Sequence, residues 1–166
     1  MAYIEGSAPG RASLPEALRA TRRFAKGREP AAAEARCRLA TSGALRAACR
    51  LVDPGSPTPA VEAALQLAAV LCRDSPGLSE RACEDGVVLR AFLCLRGAPA
   101  GGSLCKAVAK LVEALACHRA AAAAVADTPG LGLLLEGWGA REGPGAPAAQ
   151  RALLQLCAHP ASAQAL

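Results

Sequence analysis

The sequence predicts an all-α protein assembled from a repeated group of helices, and three observations carry that expectation. Ala and Leu dominate a chain of 166 residues in which 52% of residues are apolar and 20% charged, a balance suited to one folded domain rather than to a disordered segment. Aromatic residues make up only 2%, namely Tyr3, Phe24, Phe92 and Trp138, which argues against sandwiches and barrels built on aromatic and β-branched strands. A Gly-centred pattern recurs at glycines 43, 86 and 130, spaced 43 and 44 residues apart, and a fixed period of that length is the mark of a helical repeat.

Each recurrence has the same parts. The segments Ala40 to Leu45, Cys83 to Leu89 and Asp127 to Leu133 each follow a short helical run and open a second apolar run. The second runs are Ala44–Val52, Val87–Leu95 and Leu131–Trp138. They stop in loops rich in Pro and Gly, at Asp53 to Pro59, Gly97 to Gly102 and Gly139 to Pro147. Longer amphipathic runs follow, at Pro59–Arg73, Ser103–Arg119 and Pro147–Ala158, with Pro or Ser at the start, where each favours a helix. An isolated run at Pro15–Lys26 reads as the long helix of an incomplete first unit. The units are therefore 14–29 (partial), 30–74, 75–118 and 119–159, after a polar segment 1–13. Residues Pro160–Leu166 read as the start of a further short helix. That end has no polar cap, and a fragment, a shorter isoform or a binding end would account for it.

Short helix, Gly turn, second helix, loop and long third helix is a pattern that resembles the armadillo repeat family. The resemblance covers roughly residues 14–166, with Gly43, Gly86 and Gly130 at the turn between first and second helices. It implies a right-handed α-solenoid of about three armadillo-like repeats plus a partial N-terminal one; the alternative is an irregular helical bundle. It also implies that the third helices line a concave groove that binds a partner. The candidate groove residues are Glu62, Gln66, Ala69 and Arg73 on one third helix. Adding 44 gives Lys106, Lys110, Glu113 and Cys117, and adding 44 again gives Gln150, Leu154, Cys157 and Ala161, with Arg151 and Gln155 beside them. On the first long helix the equivalents are Arg19, Arg22, Arg23 and Lys26. Solvation of helix faces would account for the same stripes. Read functionally, they suit an acidic or phosphorylated protein segment. Family members that bind nuclear-import signals carry a ladder of Trp and Asn on the third helix. Here the approximate Asn positions hold Val70, Ala114 and Leu156, and no third helix has a Trp, which argues against that function.

Charge supports the same view. The net charge is +5, and residues 1–50 hold ten basic and four acidic side chains against nine and ten in the remainder. A basic end accelerates association with acidic partners. The few aromatic rings argue against a nucleic-acid binder that stacks bases, although Arg along a concave face would be one alternative. A chaperone cofactor resembling the armadillo-type nucleotide exchange factors is another.

Catalytic and cofactor chemistry find no foothold. The eight cysteines at 37, 49, 72, 83, 94, 105, 117 and 157 show no CxxC spacing, and reduced, hydrophobe-like cysteines are expected. His118 and His159 have no ligand cluster at metal spacing. Cys117 and His118 are neighbours in sequence, so on a helix they point in different directions rather than forming a nucleophile–base pair. Glu84-Asp85 reads as a helix end. Gly101-Gly102-Ser103 lacks the strand and the lysine of a phosphate loop. Thr58 before Pro59 and Ser75 before Pro76 suit proline-directed phosphorylation. Trp138 reads as a packing anchor. The longest apolar stretch, Leu111 to Val125, is interrupted by Glu113, His118 and Arg119, and Met1 to Ser13 contains no apolar leader core. The expectation is a non-catalytic interaction scaffold of the cytoplasm or nucleus, with no cofactor, no metal and no membrane contact.

Overall fold

The computed structural model describes residues 13–27, 29–99, 101–139 and 145–158. The segment 1–12, His159, Ala161 and the proposed helix at 160–166 lie outside them, as does the side chain of Trp138. Among the described residues every regular element is a helix. In chain order these are α1 (Leu14–Ala25), α2 (Pro30–Thr41), α3 (Ala44–Leu51), α4 (Thr58–Cys72), α5 (Pro76–Glu84), α6 (Val87–Leu95), α7 (Ser103–Leu115), α8 (Arg119–Ala126), α9 (Leu131–Gly139) and α10 (Ala146–Cys157).

Local chemistry explains where these helices start. The Ser13 backbone N–H and hydroxyl both donate to the Glu16 carboxylate at 2.9 Å. This reciprocal contact satisfies the first turn of α1 and holds the Glu16 carboxyl below its usual range. Pro30, Pro76 and Pro147 stand in the first turns of α2, α5 and α10, where a missing N–H leaves no bond unmade. Ser75 caps α5 through an N–H donated by Leu78. Between first and second helices the chain reverses on left-handed backbone: Gly43 has φ +78° and Gly86 φ +70°, and Gly130 has φ +107°. These are the three glycines of the sequence repeat, and a side chain at such φ is strained.

The long helices pack in series, α1 on α4, α4 on α7 and α7 on α10. The shorter helices pack alongside, with α5 against α8, α6 against α9, and α3 against α4 and α5. One continuous apolar core runs through them. Leu65, Leu67 and Leu71 of α4 and Val108, Leu111, Val112 and Leu115 of α7 are fully buried, with Phe92, Leu134 and Leu156 beyond. Because α4 and α7 each have a long helix on both flanks, they are apolar around most of their circumference. Alanines at 64, 68, 107, 109 and 114 are buried in these two helices, and their small volume lets neighbouring backbones approach closely.

Polar groups tie the units at the ends of α4. The buried Ser79 hydroxyl faces the carbonyls of Cys72 and Ser75, at 2.9 and 3.1 Å. His118 Nε2 lies 3.1 Å from the carbonyls of both Cys72 and Arg73. A carbonyl can only accept, so Nε2 carries the proton. His118 thus joins the start of α8 to the last turn of α4, satisfying carbonyls that a helix end leaves open. Arg36 does the same for α1: Nη1 donates to the carbonyls of Ala25 and Gly27, and Nη2 pairs with Asp74 at 3.2 Å.

The cysteines do not share one environment. Cys49, Cys72 and Cys105 are buried and Cys83 and Cys94 half-buried, whereas Cys37, Cys117 and Cys157 are exposed.

Candidate functional site

The polar positions on the long-helix row fall in register at a spacing of 44 residues. Arg22 of α1, Gln66 of α4, Lys110 of α7 and Leu154 of α10 form one line, and Arg22 Nη1 donates to Gln66 Oε1 at 2.6 Å. Beside it run Glu62, Lys106 and Gln150, and here the Ser103 hydroxyl at the start of α7 bonds Glu62 Oε1 at 2.5 Å. These two cross-helix bonds fix the long helices against one another at the surface, outside the apolar core.

Charge is concentrated on this face. The Lys110 ammonium is held below its ordinary value, first by burial and then by the nearby cations Arg22, Lys106 and Lys26, with Glu113 alone opposing. Four cations from α1 and α7 and the residue after α1 therefore share one neighbourhood. Arg22 is itself half-buried, its guanidinium is held down by desolvation, and its buried Nε has no hydrogen-bond partner in the protein. Glu113 is drawn toward the C-terminal side, 3.9 Å from Arg151.

The sequence-derived residues divide on this geometry. Arg22, Lys26, Lys106 and Glu113 lie around Lys110, and Gln66 joins them through its bond with Arg22. Glu62 is joined to Ser103 and Arg151 to Glu113. Arg19, Arg23 and Gln150 are exposed and make no hydrogen bond or ion pair among the described residues. Arg73 caps the end of α4, where its carbonyl receives His118. Ala69, placed on the polar stripe by spacing, is buried at 4% exposure; the partly open position is Val70, because α1 and α7 cover the flanks of α4. Ser103 had no place in the sequence reading as a contact on this face. The 44-residue interval that relates Arg22 to Gln66 was the signal that could have made Arg22 the centre of the cluster.

Cavities also open beside the long-helix row. One of about 630 Å³ is lined by the loops before α4 and α7, with Asp53, Thr58, Leu93, Cys94, Pro99 and Ser103 among its walls. Another of about 370 Å³ lies between α3 and α6 and is lined by Arg46, Cys49, Arg50, Asp85 and Arg90. Among the described residues no group of His, Cys, Asp and Glu could hold a metal ion, and no helix is long and apolar enough to cross a membrane. Compared with protein-family models, with curated proteins and with solved structures, the chain matches none.

Proposed function

We propose that the chain is a non-catalytic protein-interaction module: a right-handed α-solenoid of armadillo-like repeats whose long helices present a basic groove to an acidic or phosphorylated segment of a partner. The observation that supports this reading is the gathering of Arg22, Lys26, Lys106 and Lys110 on one face, with a depressed ammonium at Lys110. Like charges held this close oppose folding, and an anionic partner turns that repulsion into attraction on binding. The face is formed by packed helices, so little ordering accompanies association. The acidic residues at its edges, Glu62 and Glu113, are engaged by Ser103 and Arg151 and leave the central cations open. Such a module acts in the cytoplasm or nucleus as an adaptor.

Fluorescence anisotropy tests it, with a labelled peptide of alternating Glu and Ser residues and the same peptide phosphorylated on Ser. The wild-type chain binds both, the phosphorylated form more tightly, with affinity falling as salt rises. Lys106→Glu combined with Lys110→Glu abolishes binding and leaves helicity intact. Equal binding by wild type and double variant, or no binding by wild type, overturns the reading. Tighter binding to a single-stranded oligonucleotide than to either peptide would replace it with nucleic-acid recognition.

A further inference from the structure

A second basic site lies away from the long-helix row, between two second helices of successive units. Arg46 and Arg50 are one turn apart on α3 and therefore share a face. Arg90 stands on α6, 44 residues after Arg46. All three guanidiniums line the 370 Å³ cavity together with Cys49 and Asp85. Burial pushes the Cys49 thiol up to about 11, so this wall is neutral at physiological pH and cancels none of the positive charge.

Two atoms in the lining have unmet needs. Arg90 Nη2 donates to the Asp85 carbonyl at 2.8 Å, which fixes the guanidinium at the end of α5. Its Nε is buried and has no hydrogen-bond partner in the protein, and neither has the buried Asp85 Oδ2. Asp85 and Arg90 line one cavity, yet their side chains are not paired with each other. Among the described residues Arg46 and Arg50 have no carboxylate within ion-pair distance. A buried donor or acceptor left unmade is unfavourable, so Arg90 Nε favours an occupant with an acceptor oxygen, and the exposed Arg46 and Arg50 beside it favour one that is anionic. The same occupant must offer an N–H or O–H to Asp85 Oδ2. A bare anion meets the first requirement and is repelled by Asp85; a cation offers no acceptor to Arg90 and is repelled by the three arginines.

We propose that the α3–α6 cavity binds a phosphomonoester, with Arg46, Arg50 and Arg90 holding the phosphate oxygens and Asp85 accepting a hydrogen bond from the phosphate O–H or from the molecule that carries it. Guanidinium forks match phosphate geometry and give charge-assisted bonds. The cavity volume admits the phosphate and the first atoms attached to it. Asp85 supplies selectivity: at neutral pH inorganic phosphate keeps a proton that the carboxylate can accept and sulfate keeps none, while a phosphomonoester, with a second pKa of about 6, meets Asp85 chiefly through an N–H or O–H of the molecule that carries it.

Chemical-shift titration of the backbone amides from Asp85 to Arg90 tests the site. The probes are N-acetyl-O-phosphoserine methylamide, its unphosphorylated counterpart, inorganic phosphate and inorganic sulfate. The phosphoserine derivative should produce a saturable shift and the unphosphorylated compound none, with sulfate at least tenfold weaker than phosphate. Preference for the phosphoserine derivative over inorganic phosphate assigns the site to phosphorylated protein segments. Equal affinity for the two assigns it to free phosphate and sustains the phosphate site. Arg46→Gln combined with Arg50→Gln changes exposed side chains only and should weaken phosphate about tenfold or more. Asp85→Asn should erase the preference for phosphate over sulfate, a result that a purely structural role for Asp85 would not give. Absence of a saturable shift, or an unchanged preference in Asp85→Asn, overturns the proposal and leaves a polar hollow filled by water. Lys106→Glu with Lys110→Glu should leave this titration unchanged, so failure here and failure of the groove reading are separately visible.

Discussion

Replacing Gly86 by Val tests one physical effect above others, because nothing stands where the new Cβ would go. Gly86 is the N-cap of α6 with φ +70° and ψ +22°, and a Cβ built on it meets no heavy atom within 4 Å. The penalty at the backbone is then conformational. Left-handed backbone costs an ordinary residue about 1–2 kcal/mol, and a β-branched one about 2–3 kcal/mol. Asn tolerates this region, so Gly86→Asn should cost well under about 1 kcal/mol. In a chain of this size each kcal/mol moves the midpoint by roughly 2–4 °C. Thermal melts followed by far-ultraviolet circular dichroism should therefore place Gly86→Val about 4–12 °C below wild type and Gly86→Asn within about 2 °C of it. Gly130 provides the contrast. Its φ is +107°, and an added Cβ lies 2.9 Å from Cβ of Phe92, a side chain only 1% exposed and with no room to withdraw. Gly130→Ala combines backbone strain with overpacking of about 1–3 kcal/mol and should melt lower than Gly86→Ala. Wild-type melting of Gly86→Val would refute the account, as would an Asn variant as unstable as the Val variant.

Other measurements probe charge, burial and the ties between units. The Lys110 ammonium is held below its ordinary 10.5 by burial and three neighbouring cations, so the native chain binds this proton less well than the unfolded chain. Stability lost to that charge is fully felt at neutral pH and recovers as pH rises from the depressed value toward 10.5. Lys110→Met should accordingly raise the melting temperature at pH 7 in low salt, with a gain that shrinks in high salt and at alkaline pH. Thiol labelling with a chromogenic disulfide at mildly alkaline pH should modify Cys37, Cys117 and Cys157 at once. Cys49 and Cys72, which burial pushes up to about 11 and about 12, should react only as the chain opens; prompt modification of Cys72 would contradict its burial. His118→Ala removes the Nε2–H shared by the carbonyls of Cys72 and Arg73 and should destabilise by about 1–2 kcal/mol, measurable by urea unfolding.

Helical class was legible because the cues are local. Proline at helix starts and glycine between short apolar runs each act within about four residues, whereas Ser103, expected as a cap, is the first residue of α7 and gives its hydroxyl to Glu62 instead. Left-handed backbone at Gly43, Gly86 and Gly130 belongs to the same class of cue. Side-chain placement on α4 was less legible. Spacing put Ala69 on the open strip, but the strip follows Glu62, Gln66 and Val70 instead. Period alone does not distinguish seven residues from eight after Glu62, whereas the covering helices α1 and α7 do. On α7 the strip follows Lys106, Lys110 and Glu113, with Ala114 buried, so equivalent helices present slightly different faces. The same limit applies to the cysteines: a thiol passes for a hydrophobe in sequence, and Cys117 is exposed only because it falls one turn after Glu113 at the end of the helix.

Tertiary sites formed by different units left a subtler trace, which is the period itself. Arg22 bonds Gln66 across 44 residues, His118 meets Arg73 across 45, and Arg46 and Arg90 line one cavity at a separation of 44. In a chain whose long helices pack in series, residues one period apart become neighbours in space. A polar pair at that interval therefore marks a contact between units even where neither residue belongs to a recognisable motif. The helices α4 and α7 bury apolar and small side chains on most of their circumference, so only a narrow strip on each can carry polar groups without loss of packing. That restriction sets Lys106 and Lys110 of α7 on one face, and the packing of the long helices in series brings Arg22 and Lys26 beside Lys110. Under the proposed function, recognition of an anionic segment would use the face that core packing leaves available, so changes at Lys106 and Lys110 should alter binding while changes at the buried alanines around them should alter stability.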